Sequence, residues 1–125
     1  KIVKKENYTF SMLENNTLHV TYKNGLNVDL QLMIEILAHA IIFCDNKPFK
    51  SIIDFRNVKG SMSKEALNYN SNSLKINELR ICEALVTDSL TISITIGIYL
   101  KIFKQKTKTK AFSNMDEAIS WVCSI

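Results

Sequence analysis

Residues 79–112 read LRICEALVTDSLTISITIGIYLKIFKQKTKTKAF, and the reading of this stretch decides the fold. In its middle, Leu90, Ile92, Ile94, Ile96, Ile98, Leu100 and Ile102 recur at every second position, the period of a β-strand. Length opposes that reading. A strand over these residues would span ~40 Å, far beyond the usual five or six residues, whereas a helix would span ~20 Å. Wound at about 100° per residue, the same side chains separate into two apolar stripes. One holds Leu90, Ile94, Ile98 and Ile102; the other holds Ile92, Ile96, Tyr99, Leu100 and Phe103. Upstream, Arg80 to Val86 is a short apolar run suited to a buried strand, and Thr87, Asp88 and Ser89 are favoured helix N-caps. The stretch therefore predicts strand, cap and helix, against the β-propensity of isoleucine and threonine.

The 125 residues, 46% hydrophobic and 22% charged, suffice for one globular domain over 1–125 with a single core, residues 1–7 forming a loose N-terminal tail. No apolar run approaches the ~20 residues of a membrane helix. Cys44, Cys82 and Cys123 are far apart and form no CxxC pair; their odd number, with no leader-like segment, points to free thiols in a reducing, cytoplasmic setting. Each lies in an apolar run, so all three are expected to be buried. The net charge of +4 raises nucleic acid or an anionic surface as partners. The lysines are scattered, however, except at Lys101, Lys104, Lys106, Lys108 and Lys110, and no aromatic residues interleave with them as a single-strand binder requires. A solvated edge strand explains them better than nucleic acid, since edge lysines also block sheet-to-sheet pairing.

Around that stretch the chain alternates strands and helices. Tyr8, Phe10 and Met12, then Leu18, Val20 and Tyr22, alternate on either side of Asn15-Asn16 and predict a hairpin. Asp29 caps a helix reaching about Asp45, with Leu30, Met33, Ile34, Leu37 and Ile41 in its apolar stripe. Ser51 to Phe55 is a short buried strand; a helix capped at Ser61 or Ser63 follows, expected to fray in the Asn- and Ser-rich tract 68–77. A last helix starts at Ser113, with Asp116 three residues on. The order is β-β-α-β-α-β-α-β-α: an α/β fold with a mostly parallel five-stranded sheet and an antiparallel first strand. If consecutive strands are neighbours, right-handed crossovers put their helices on one face. The other face then needs solvent, a partner or a helix that departs from the pattern.

Several junctions together carry a family resemblance: Ile53-Asp54 with Val58, Ser63-Lys64-Glu65-Ala66, Leu85-Val86 before Asp88-Ser89, Gly97 before Tyr99-Leu100, and Phe112-Ser113 with Glu117-Ala118 and Trp121. In order and spacing they resemble the SpoIIAA-like superfamily, which includes the STAS domains and is akin to CRAL-TRIO-type lipid-binding domains. The likeness is nearest to small, functionally uncharacterised members of Bacteroidetes type. It implies a SpoIIAA-like fold and, by analogy with regulatory STAS domains, a phosphorylatable serine at the start of the helix after the Asp-ended strand. Counting from Asp54, that position is Ser63. Met62 stands where that pattern has an acidic residue, and Lys64-Glu65 where it has a small residue and glycine. Ser63 is thus a helix cap or a modification site, the cap being the reading that its neighbours favour.

Two functions are compatible with these features. The first is a non-enzymatic interaction or regulatory module that contacts a partner protein at the C-terminal ends of its parallel strands, where Asp54, Arg56, Ser61, Ser63, Thr87, Asp88, Ser113 and Asn114 fall. The second is a small apolar-ligand or lipid binder, suggested by the doubly apolar helix. Catalysis would rest on Asp54 and Asp88 as paired carboxylates, but turns and caps explain both. His19 and His39 read as surface residues, and neither a metal nor a cofactor is expected. Because one stripe must face away from the sheet, Ile92, Ile96, Tyr99, Leu100 and Phe103 are expected to form either a two-fold homodimer contact or a ligand-facing wall, unless the last helix with Trp121 covers them.

Overall fold

The computed structural model describes residues 1–56 and 58–125. Asn15 and Asn16, both at positive φ, make the turn between β2 (Tyr8–Leu13) and β3 (Thr17–Tyr22), whose strands pair antiparallel from Tyr8↔Tyr22 to Leu13↔Thr17. Asparagine tolerates this left-handed geometry better than most residues. Helix α1 (Leu30–Phe43) is capped by the Asp29 carboxylate, which accepts from the Leu32 amide at 2.8 Å. It leads to β5 (Phe49–Asp54), and β5 to α2 (Lys64–Asn72), α3 (Leu74–Leu79) and β7 (Arg80–Val86). Helix α4 (Leu90–Ile102), edge strand β8 (Lys108–Phe112) and α5 (Met115–Cys123) complete the series.

The expected strand–cap–helix stretch is present. Ser89 accepts from the Ile92 amide at 3.3 Å to start α4, and the Thr87 hydroxyl accepts from the Ser89 amide at 3.1 Å. β3, β5, β7 and β8 are parallel neighbours, in register at Val20↔Ile53↔Leu85↔Ala111. Lys108 and Lys110 stand exposed on the outermost strand, as expected of an edge.

The sheet has six strands rather than five, because Ile2–Lys4 forms β1, antiparallel to β2. The segment expected as a loose tail is thus an edge strand. Three residues among lysines carry no readable periodicity, yet Val3 packs on the core and Lys1 donates to the Phe43 carbonyl at 3.0 Å. A second, two-residue ladder pairs β4 (Asn27–Val28) with β6 (Ser61–Met62). Here Gly60 is obligatory for space: a Cβ would stand 2.2 Å from the Leu26 carbonyl oxygen.

Helices α1 to α4 cover one face of the sheet. Tyr8, Phe10, Leu18, Val20 and Phe49 meet Met33, Ile36, Ala40, Ala66 and Ile76 there. α5 is the departure from the pattern that the second face required, and it buries Ile52, Cys82, Ala84 and Val86 beneath Ala118 and Val122. Trp121 packs at 5.5 Å from Phe112 and so covers this second face, not α4. α5 is capped by Asn114, which accepts from the Glu117 amide at 2.9 Å, and not by Ser113. Cys44 and Cys82 are buried, and burial pushes the Cys44 thiol up to about 11. Cys123, expected to be buried, is exposed because it falls on the outer side of the last turn of α5.

The 68–77 tract does not fray. Its helix breaks at Ser73 and restarts as α3, and Asn70 and Ser71 are buried because their side chains find polar partners inside. A Gly60→Ala substitution should destabilise the fold by about 1–3 kcal/mol, since backbone must move to admit the methyl group. The check is the urea midpoint, which should fall with an unchanged slope.

Candidate functional site

Between the sheet and α4 lies a cavity of about 420 Å³. Tyr99 determines how α4 closes it. The Tyr99 hydroxyl accepts from Asn70 Nδ2 and Ser71 Oγ, each at 3.0 Å, and donates to Gln105 Oε1 at 2.9 Å. Ile96 and Tyr99 are 6% and 4% exposed, and Ile92, Leu100 and Phe103 pack beside them against Leu85 and Ile53. The stripe expected as a self-association face therefore points inward, because it alone offers a hydroxyl that Asn70, Ser71 and Gln105 can satisfy. Ile92, Ile96 and Tyr99 form one wall of the cavity. The opposite stripe is the free one: Leu90, Ile94, Ile98 and Ile102 are 78%, 57%, 52% and 63% exposed.

The remaining wall is mostly aliphatic, from Leu18, Val20, Ile36 and Ile53. The exposed lining residues Gly60, Ser61, Thr91 and Thr95 place its mouth between the first turns of α4 and the β4–β6 ladder. Polar groups stand elsewhere in the lining. Arg80 Nη1 donates to Glu83 Oε2 at 2.8 Å and to Asn70 Oδ1 at 2.9 Å, and Nη2 donates to the Asn70 carbonyl at 3.2 Å. Both ionic side chains are almost wholly buried, at 3% and 2% exposure. Ser51 lies directly beside Glu83 across the β5–β7 ladder. Arg80 Nε, Glu83 Oε1 and Ser51 Oγ have no hydrogen-bond partner among the described residues. Each such buried, unpaired group costs about 1–3 kcal/mol, and more when charged.

On the other face, Asp54 gathers a second polar cluster. His19 Nε2 lies 2.9 Å from Asp54 Oδ2, Arg56 Nε and its amide donate to Oδ1 at 3.0 Å, and Arg56 Nη2 donates to Oδ2 at 2.9 Å. Burial pushes this carboxyl up, but the hydrogen bonds from His19 and Arg56 outweigh it and hold the group well below the usual carboxylate range. Asp54 is consequently the ionised partner of a bidentate pair, unlike a carboxylic acid poised to give up a proton at neutral pH. The fields of Asp88 and Asp116 also reach Arg56.

The predicted site residues thus fall into two groups. Asp54, Arg56 and Asp88 belong to the α5 side of the sheet. Ser61 and Ser63 belong to the cavity side, where Ser61 Oγ donates to Asn27 Oδ1 at 2.7 Å and Ser63 Oγ caps α2 by accepting from the Ala66 amide at 3.1 Å. Thr87, Ser113 and Asn114 are used in turns and caps. Neither histidine is a plain surface residue: His19 pairs with Asp54, and His39 Nδ1 meets the Tyr8 hydroxyl, which also donates to Glu35 at 3.0 Å. Sequence reasoning missed Arg80, Glu83 and Ser51. On a regular strand residues three apart point to opposite faces, and these two meet only because the β5–β7 register shifts between Phe49 and Lys50, which skips Ile81 and leaves no mark in the sequence pattern. Among the described residues, no group of three or more His, Cys, Asp or Glu side chains is placed to hold a metal ion. Among the described residues, no helix is long and apolar enough to cross a membrane.

Six strands, consecutive parallel crossovers and helices on one face with a terminal helix on the other define a SpoIIAA-like α/β domain. The chain belongs to the family described as Domain of unknown function (DUF7793), whose model matches residues 11–125. It is similar to an uncharacterised protein of the DUF3478 family with a SpoIIAA-like fold from Shewanella loihica PV-4, with 13% identity, a TM-score of 0.63, and 98% of this chain and 94% of that chain covered. It is also similar to the Bacillus cell fate determinant SpoIIAA in its phosphorylated form, with 17% identity, a TM-score of 0.54, and 92% and 98% covered. At these identities the likeness shows the fold. No curated protein matches the sequence.

Because the folded state depresses the Asp54 pKa, the carboxylate stabilises the protein fully above its unfolded value of ~3.9 and loses that contribution as pH falls through its folded value. Asp54→Asn should cost about 1–3 kcal/mol at pH 7. The gap between the two proteins, followed by denaturant unfolding from pH 7 downward, should hold to about pH 4 and narrow below it.

Proposed function

We propose that this domain is a non-enzymatic interaction module of the STAS kind that works by pairing with a second copy of itself through α4. The observation that carries this reading is the outward stripe of Leu90, Ile94, Ile98 and Ile102, one large aliphatic side chain per turn along the whole helix. A row of this kind is rarely left to water on a lone soluble domain. It suits a copy of itself, because aliphatic side chains at a spacing of four interdigitate with the same row across a two-fold axis. Gly97 lies on this face with no atom within 4 Å of where its Cβ would be, which lets two helices approach closely. The SpoIIAA-like fold supports a regulatory role for such an assembly. Ser63, half-buried at the N-cap of α2, is the position at which a phosphate would be tolerated by the helix N-terminus.

A second reading, a small apolar-ligand binder, is favoured by the cavity and its aliphatic wall. Its volume lies within the ~300–1,000 Å³ range of small-molecule sites. The two readings are compatible, since α4 carries the self-pairing stripe on one side and a cavity wall on the other.

Sedimentation at tens of micromolar tests the first reading. The unmodified chain should sediment as a dimer, and Ile98→Glu, which sets two like charges against each other near the axis, should give a folded monomer. An unmodified chain that sediments as a monomer contradicts it.

A further inference from the structure

We propose that the cavity selects ligands by a neutral, hydroxyl-type head bound between Arg80, Glu83 and Ser51, with an apolar tail lying along Ile92 and Ile96. This rests on the ligand-binding reading above and assigns it a chemical class. Three observations lead to it. First, Arg80 Nε, Glu83 Oε1 and Ser51 Oγ all belong to residues that line the cavity and are at least nine-tenths buried, and none has a partner among the described residues. Second, these atoms are of opposite kinds. Nε–H can only donate, an ionised Oε1 can only accept, and a serine hydroxyl does either. One ligand hydroxyl answers both demands, accepting from Nε–H and donating to Oε1, with Ser51 beside it across the ladder. Third, the guanidinium and the carboxylate already neutralise each other at 2.8 Å. A carboxylate or ammonium head would therefore bring a net charge into a buried site with no free counter-charge, which low-dielectric surroundings disfavour.

The volume sets the size of the ligand. At ~30 Å³ for each non-hydrogen atom, about 420 Å³ holds roughly a dozen such atoms, so the tail is of medium length. The polarity of the lining agrees. Beyond the Arg80–Glu83 group, aliphatic side chains dominate up to Thr91, Thr95 and Ser61 at the mouth.

The test is calorimetric titration of the full chain with three eight-carbon probes: octan-1-ol, its isomer heptyl methyl ether, and octanoate at neutral pH. Octan-1-ol should bind at least about tenfold more tightly than the ether, which cannot donate to Glu83, and than octanoate, which brings a charge. Ser51→Ala should weaken octan-1-ol by about two- to tenfold, the worth of one hydrogen bond. If that variant does not fold, the ranking on the unmodified chain still decides. Equal binding of all three, or octanoate binding tightest, overturns the head-group assignment while leaving an apolar cavity standing. Binding of none of them overturns the ligand-binding reading itself, and the head-group assignment with it.

Discussion

The Tyr99 hydroxyl decides which of two apolar stripes of α4 turns toward the sheet, and the layout of this side of the molecule follows from that choice. Both stripes are apolar, and either would gain ~1.5–3 kcal/mol for each large side chain fully buried. What separates them is a polar requirement. Tyr99 on one stripe reaches Asn70, Ser71 and Gln105, so its hydroxyl is satisfied on entering the interior. With the other stripe inward, Asn70 Nδ2 and Ser71 Oγ would lose the Tyr99 oxygen as their acceptor inside the core, a cost that no aliphatic side chain could offset by hydrogen bonding. One set of hydrogen bonds thereby fixes the rotation of α4, closes the cavity, and exposes Leu90, Ile94, Ile98 and Ile102.

The same network joins α4 to the buried ion pair. Asn70 donates to Tyr99 through Nδ2 and accepts from Arg80 through Oδ1, while Arg80 binds Glu83. A tract rich in asparagine and serine, which would weaken an isolated helix, here supplies short polar side chains at the places where the core needs them. Its helix breaks at Ser73 without loss because Asn77 Nδ2 donates to the Ser71 carbonyl at 2.9 Å across the break. Polar groups buried in this way are stabilising when fully paired and costly when not, which makes the three unpaired atoms around Ser51, Arg80 and Glu83 conspicuous.

Much of the fold was legible in the sequence because length and caps overrode local pattern. The alternation from Leu90 to Ile102 mimics a strand, but thirteen residues behind Ser89 make a helix, and the SpoIIAA-like order followed from it. The direction in which α4 faces was not legible, since a residue's partners thirty positions away leave no trace in its own periodicity. β1 was hidden for another reason: a three-residue edge strand held by Val3 is too short to show a pattern. Of the site, the inner wall of Ile92, Ile96 and Tyr99 was readable as an apolar face, whereas its polar end was not. Arg80 and Glu83 lay within a run read for its apolar residues. The pairing of His19 with Asp54 was equally hidden, because it joins neighbouring strands across a register that only the sheet reveals.

The cavity, the exposed stripe and the Tyr99 network all depend on residues 90–102 being helical with Tyr99 inward. Backbone and side-chain NMR assignment tests this most directly. Helical carbon shifts are expected through Ile92, Ile94 and Ile96, together with cross-peaks from the Tyr99 ring to Asn70 and Ser71. Extended shifts over those isoleucines, or Tyr99 ring contacts confined to solvent, would contradict it.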